Sequence, residues 1–428
     1  MNTTTQLPFF IDRIKQKQNE IHAWLQSHEK SKELPLYFSV DVRDAGFKMA
    51  VIDTNLFPAG FNNLCEHGLA DSVKFIKQAI EKRVPNCKNI LIVSEEHTRN
   101  TWYLENVRIL EKIIKDAGFD ARIATFLTDQ PSFCDDGPYI NLQTATDQLV
   151  RIHCFKTILK DIEEGRQHYD LIILNNDLST GIPETLLKAN VPVYPSVQAG
   201  WHSRHKSHHF YHTHDLILEF ARILGIDPWF FSCHYALLNQ IDINNTRDQQ
   251  RLKEAAADLF HRIEQKYQEH HIKEKPYIVV KSDSGTYGMG VLPIENPDDI
   301  LTLNSRNRNK LARGKSAQVI DRYLLQEGVP TIYNIDHNVS EVCLYHIEQN
   351  LLGGFYRSHP EKTDRQNLNS QGMIFKKMCP HLKKYGDCGI HHDINVFDIY
   401  RILARIAGIA AHREVVELEA AKNRKVVE

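Results

Sequence analysis

The chain has 428 residues, 42% of them hydrophobic and 25% charged, a composition typical of soluble globular proteins and long enough for two or three domains. A formal net charge of −2 supplies no basic field for a nucleic-acid backbone, so nucleic acid is excluded as an expected partner. No apolar run reaches the about 18 residues of a membrane span. Met1-Asn-Thr-Thr-Thr-Gln6 also lacks the charged and apolar regions of a secretion signal, so a cytoplasmic location and no membrane partner are expected.

Phe10, Ile14, Ile21 and Leu25 share one face of an opening amphipathic segment, and residues 36–40 read as the first strand. Leu69, Val73, Ile76, Ile80 and Val84 then recur at helical spacing. Next come a strand over 89–94, a helix over 101–117 stopped by Gly118, and a strand over 121–127. A helix over 146–164 stopped by Gly165 and a strand over 170–174 complete the series, with residues 192–195 as the way out. Alternating strands and helices imply a parallel sheet covered on both faces. Residues 1–195 are therefore expected to form a doubly wound α/β domain. Ligands of such sheets bind past the carboxyl ends of strands. Asp41-Val-Arg43-Asp44 and Glu95-Glu96-His97-Thr98-Arg99-Asn100 are expected there, so Arg43 and Arg99 are candidates for gripping a substrate carboxylate. Each could instead make a helix-end ion pair. The polar turn-rich stretch Asp53-Thr-Asn55 to Asn63 could select the substrate, with Asn55 as its candidate.

A histidine-rich segment follows, Trp201-His-Ser-Arg204-His-Lys206-Ser-His-His209. It reads as a loop on the substrate or nucleotide side, and Arg204 and Lys206 weigh against a metal among its imidazoles. Gly225 stops the next helix, and Asn245 or Thr246 caps a long one with Leu252, Leu259, Ile263 and Tyr267 inward. Tyr277 to Val280 then form a strand ending in Lys281, followed by Ser282-Asp-Ser284-Gly285-Thr286-Tyr-Gly288-Met-Gly290 and a second strand from Val291. Glycines let a backbone approach phosphate closely, and a lysine adds a point charge. The lysine precedes the glycines and no helix follows them, which excludes the P-loop, the dinucleotide fingerprint and the kinase glycine loop. A plain glycine-rich hairpin is the competing reading.

Downstream, strands are expected over 318–326, 341–347 and 351–356, with a terminal helix from about residue 393; residues 304–315 read as a solvated loop or helix end. Tyr323-Leu-Leu-Gln326-Glu327-Gly328-Val329 can offer backbone groups to adenine and a carboxylate to ribose. Arg357 ends a strand and suits phosphate. Arg365-Gln-Asn367-Leu-Asn369-Ser-Gln-Gly372 can offer amides to an acyl phosphate. Asp393-Ile-Asn395 can supply oxygens to Mg²⁺ or cap the last helix. Eight cysteines occur without any Cys-x-x-Cys and read as free thiols. Cys379-Pro-His381 and Cys388-Gly-Ile-His391-His392 carry soft ligands without the paired spacing of structural zinc sites.

Lys281 to Gly290, Gln326-Glu327-Gly328 and Arg365-x-Asn367-Leu368 with Gly372 together resemble the ATP-grasp superfamily. From Asp41-Val-Arg43 to Ala411-His-Arg-Glu414 the chain is similar to a bacterial glutamate–cysteine ligase family. The resemblance implies an ATP-grasp-like α+β module over 196–428, divided at about residue 320 into a lysine-and-glycine-lid part and a metal and acyl-phosphate part. It implies ATP- and Mg²⁺-dependent joining of the glutamate γ-carboxylate to the cysteine amine, the first step of glutathione synthesis. Lys281, Arg357, Arg365 and Asn367 would be catalytic. Lys206, Lys281, Ser284, Gly285, Thr286, Gly288, Gly290, Gln326, Glu327 and Val329 would hold the nucleotide, with Glu327 on the ribose. Arg43, Asn55, Arg99 and Arg204 would face the amino acids. Asp393 and Asn395 would match an acidic-x-Asn metal pair, with Asp in place of Glu. No preceding strand Asp stands out, which leaves Glu341 or Asp387 to complete the set. Another peptide ligase such as glutathione synthetase, and an ATP-binding sensor without turnover, remain alternatives, and a homo-oligomer is left open.

Overall fold

The computed structural model describes residues 6–29, 34–97, 99–126, 137, 139–284, 290–312, 320–379, 390–391 and 394–427. Among them are three sheets. The first has six strands in the order Tyr139–Gln143, Leu149–Cys154, Asp120–Thr125, Asn89–Ser94, Leu171–Asn175 and Val193–Tyr194. All its neighbours are parallel except the first pair. Its central strand shows why both faces are covered. Ile90 and Ile92 pack with Ile76, Ile80 and Leu110 of the helices Glu66–Arg83 and Thr101–Asp116, whereas Leu91 and Val93 pack with Phe155 and Ile158 of the helix Phe155–Glu163. The expected parallel, two-faced α/β layer is therefore present. Each large apolar side chain buried this way contributes about 1.5–3 kcal/mol.

The expected helix over 146–164 is a correction. Residues Leu149–Cys154 form a strand antiparallel to Tyr139–Gln143, and the helix begins only at Phe155. Val150, Ile152 and Cys154 are buried at alternate positions, a period of two that the apolar count alone reads as helical. Asp147, at a φ of 59°, makes the turn that separates the strands.

The second sheet has seven strands. Its path runs Ile390–His391, Ile374–Cys379, Asn350–His359, Asn338–Ile347, Phe38–Asp44 and Met49–Asn55, with Asn334–Ile335 added beside Asn338–Ile347. The N-terminal hairpin thus pairs with Asn338–Ile347 rather than with the doubly wound sheet. Asp41, Arg43 and Asp44 lie within its first strand, not past its end. The third sheet is antiparallel, in the order Val291–Ile294, Ile278–Ser282, Tyr323–Glu327 and Tyr235–Leu238.

Four further helices pack on these sheets. Lys206–Leu224 ends at Gly225, whose φ of 65° is the left-handed cap a glycine adopts freely. Thr246–Glu269 is capped by the Asn245 side chain, as expected, and Ser305–Ala312 forms a short helix. Ile394–Val427 packs along Lys206–Leu224 and the hairpin, burying Ile399, Leu403, Ile406 and Ala407 completely. No helix among the described residues is long and apolar enough to cross a membrane.

Candidate active site

Two adjoining cavities border the seven-stranded sheet, the first against the four-stranded sheet and the second against the carboxyl ends of the six-stranded sheet. The first is walled by Val279 and Lys281, by Val291 and Pro293, by the strand exit Gln326 to Val329, and by Arg365, Gln366 and Asn367. Its shape depends on Gly328, because a Cβ there would stand 2.2 Å from the Tyr277 ring, and Tyr277 also lines the cavity. Gln326 is buried on this wall, and its side-chain Nε2 has no hydrogen-bond partner among the described residues. An amide donor is thereby left for a ligand.

The second cavity is lined by Asn55, Asn62 and Asn63, by Glu95, Asn100 and Tyr103, and by Ser370 to Phe375. Four residues wall both cavities: Asp41, Asp53, Arg357 and Asn369. Asp41 and Asp53 are cross-strand partners of the N-terminal hairpin, so their side chains share a face. Lys206 Nζ donates to Asp53 Oδ1 at 3.0 Å. Lys281 Nζ donates to the Ile52 carbonyl at 3.1 Å and faces the Phe210 ring at 5.1 Å. Burial, with Lys206 nearby, brings the Lys281 ammonium down to about 8, although Asp53 opposes this. Burial would raise the Asp53 carboxyl, yet the Lys206 and Lys281 charges hold it down at about 2. The junction is therefore a carboxylate set between two lysines.

Arg357 stands on its other side. It donates from Nη1 to Asp41 at 2.8 Å and to Glu341 at 2.9 Å. Burial raises the Asp41 carboxyl, and the opposing Arg357 charge does not reverse this. Asp283, the residue before Ser284, orders the helix that carries Lys206. It accepts from the Ser207 amide at 2.7 Å, the Ser207 hydroxyl at 2.9 Å and Arg322 Nη2 at 2.9 Å. An anion at a helix N-terminus offsets the helix dipole.

Cations and amides converging where two cavities meet suit the joining of two small acids. The sequence matches the family described as Glutamate-cysteine ligase over residues 12–415. The chain belongs to the glutamate–cysteine ligase family. Its activity is the ligation of glutamate to cysteine, which belongs to glutathione biosynthesis, and its substrates are small amino acids. A crystal structure from Methylobacillus flagellatus KT, provisionally named γ-glutamylcysteine synthetase, is 31% identical, covers 97% of each chain and superposes with a TM-score of 0.85. A D-alanyl-alanine synthetase A from Vibrio cholerae superposes at only 0.34, with 14% identity over 75% of this chain and 81% of its own. No curated protein matches the sequence.

Several residues expected in the ligase site are gathered there. Lys206, Lys281, Gln326, Glu327, Val329, Glu341, Arg357, Arg365 and Asn367 wall the first cavity, and Asn55 walls the second. Asn367 Oδ1 accepts from the Asn369 amide at 3.0 Å, which holds the loop that borders both. Ser284 ends the described strand region before the glycines, and Gly290, at a φ of 66°, resumes after them. Gly285, Thr286, Gly288 and Asp393 lie outside the described residues, as does the Asn395 side chain.

Five expectations change. Arg43 walls the first cavity and not the second, and it is held by the protein itself, donating to Glu341 at 2.6 Å, the Asp364 carbonyl at 2.5 Å and the Gln366 carbonyl at 2.9 Å. It pins the 364–366 loop. Arg204 is 1% exposed and pairs with Glu414 at 2.9 Å, away from both cavity walls. Burial by itself would raise Glu414, but Arg204 keeps it down at about 2. Arg99 is exposed and walls neither cavity, whereas its neighbour Asn100 caps the helix Thr101–Asp116 and lines the second. Glu341 has both oxygens ion-paired, one to Arg43 and one to Arg357, so cations already fill the positions a metal would need.

Glu327 is the fifth. Its carboxylate, 0% exposed, accepts from Lys48 at 2.7 Å, Trp229 Nε1 at 3.0 Å and the His234 amide at 2.9 Å. All these bonds are internal, so the carboxylate ties the four-stranded sheet to the N-terminal hairpin at the wall of the first cavity. The histidine-rich segment is likewise not a loop from Lys206 onward but the first turns of the helix Lys206–Leu224. Sequence reading missed Asp41, Asp53 and Lys48. No local spacing marks Asp41 or Lys48, and a turn-rich reading claimed Asp53, which lies in the strand Met49–Asn55.

Proposed function

We propose that the first cavity takes ATP, that the second takes glutamate and cysteine, and that phosphoryl transfer occurs at their shared wall. A γ-carboxylate oxygen of glutamate attacks the terminal phosphorus of ATP, and ADP leaves. The cysteine amine then attacks the acyl carbon, forming the amide bond; phosphate leaves and the amine loses a proton. The observation that carries this reading is the pair of lysines at the junction. Lys281 and Lys206 place positive charge where the transferring phosphoryl would pass, in a buried setting where such charge acts strongly.

The module is read as ATP-grasp-like, with the strand lysine Lys281 and the glycines after it as lid. Gln326 and Val329 sit where adenine would lie. Among carboxylates at the junction, Asp53 fits Mg²⁺ best: it is ionised, its side chain is 42% exposed, and its recorded bonds from Lys206 and from the Thr54 amide go to Oδ1 alone. Asp41 is bound by Arg357 through both oxygens. When bound, Mg²⁺ would neutralise phosphate charge during transfer.

The test follows ADP release with glutamate alone, cysteine alone, both together, and γ-glutamylcysteine with glycine, using glutamate labelled with ¹⁸O in its γ-carboxylate. ADP formed with glutamate and cysteine together, and ¹⁸O in the released phosphate, are expected. Phosphate without label would overturn the acyl-phosphate route, and turnover only with the dipeptide and glycine would assign the other ligase.

A further inference from the structure

Away from both cavity walls, Cys65, His67 and Cys379 come together where the helix Glu66–Arg83 begins and the strand Ile374–Cys379 ends. Two thiol sulfurs and one imidazole nitrogen all lie within 4.8 Å of one another. Cys65 is 0% exposed and Cys379 1%. The 65–67 and 379 positions are far apart in sequence, so no spacing motif announces the group.

Its chemistry is that of a soft-metal site. Cys65 is the cap of its helix, and its Sγ accepts from the Gly68 amide at 3.4 Å. The positive end of a helix favours the thiolate, which is the metal-binding form. Zinc bonds of about 2.3 Å to sulfur and about 2.0–2.1 Å to imidazole, arranged tetrahedrally, put donors roughly 3.5–3.8 Å apart. The observed spread of 4.8 Å or less lies within about 1 Å of that spacing. Thiolates with an imidazole select zinc over the hard, oxygen-preferring Mg²⁺.

We propose that Cys65, His67 and Cys379 bind a zinc(II) ion that fastens the helix start to the strand end. Binding displaces the thiol protons of any cysteine not already ionised. Asn62 and Asn63, just before Cys65, line the second cavity, and so do Ile374 and Phe375 on the strand of Cys379. The ion would therefore fix two walls of that cavity without touching a substrate.

The experiment uses the full chain, purified without chelator. One zinc per chain is expected. Replacement by Co²⁺ should give the intense near-ultraviolet thiolate-to-cobalt band and the visible bands of a tetrahedral ion. Cys379→Ser should lose most of that charge-transfer intensity, and His67→Gln should lower zinc occupancy while leaving the helix content unchanged. Should Cys379→Ser not fold, the wild-type cobalt spectrum and His67→Gln still decide. Two results would overturn the proposal: wild-type protein that takes up no cobalt with a thiolate band, or stoichiometric zinc that persists in both variants. The latter would move the metal to another group, such as His208, His212 and Glu417, where no sulfur is available.

Discussion

Lys206 and Asp53 are joined at 3.0 Å, linking the first turn of the helix Lys206–Leu224 to the end of the strand Met49–Asn55. Asp53 is thereby the counter-charge for a lysine beside it, Lys281, which burial holds at about 8. In the free enzyme, kcat/KM is expected to be level below pH 8 and to fall above it as Lys281 loses its proton. In Asp53→Asn the opposing charge is gone, so the alkaline limb should move to lower pH. A pH–rate profile on both proteins measures this, and superimposable limbs would reject the assignment. The stability effect has a definite sign. Between about 8 and the ordinary 10.5, the folded chain binds fewer protons at Lys281 than the unfolded chain. Its contribution to stability therefore rises with pH across that window.

Lys281→Ala tests the same group more directly. Removing a preorganised charge from a phosphoryl-transfer site costs roughly 100-fold or more in rate. We expect at least that loss in kcat/KM, with circular dichroism unchanged. A folded variant turning over at near wild-type rate removes Lys281 from the mechanism.

The doubly wound sheet was legible because most of its strands and helices alternate, the hairpin 139–154 excepted, and the cleft was legible because Lys281 and Gln326-Glu327 sit near strand ends. What stayed hidden was long-range. Nothing local shows that the strand Phe38–Asp44 pairs with Asn338–Ile347, so Asp41 and Asp53 could not be placed beside Arg357 and Lys281. Internal pairing of charged residues was hidden as well. Arg43, Arg204 and Glu327 look like ligand groups by type, but each finds a buried partner of opposite charge. Such pairing depends on tertiary contact that spacing does not encode.

The buried pair Lys48–Glu327 yields a stability prediction. Both side chains are 0% exposed at 2.7 Å, and the Lys48 ammonium also lies 4.1 Å from the centre of the Trp229 ring. Removing one partner strands an uncompensated buried charge, typically at about 3–5 kcal/mol. Glu327→Gln and Lys48→Met should each lose about that much in urea unfolding, while the double variant Lys48→Met/Glu327→Leu should recover much of it. A double variant no better than the worse single one would show that the pair is not the source of the loss.

Gly328 and Tyr277 make the last case. The Tyr277 ring occupies the space a Cβ at 328 would need, at 2.2 Å, and the Gly328 amide donates to the Tyr277 carbonyl at 2.8 Å. The ring is enclosed, so it cannot simply swing away. Overpacking of this kind costs about 1–3 kcal/mol, and both residues wall the first cavity. Gly328→Ala should therefore lower stability by that amount and raise KM for ATP more than KM for either amino acid. Trimming the obstacle should reverse much of both effects, so Gly328→Ala/Tyr277→Leu is expected to lie closer to Tyr277→Leu alone than additive losses would put it. Strictly additive losses in the double variant would mean that the two residues do not contend for the same space.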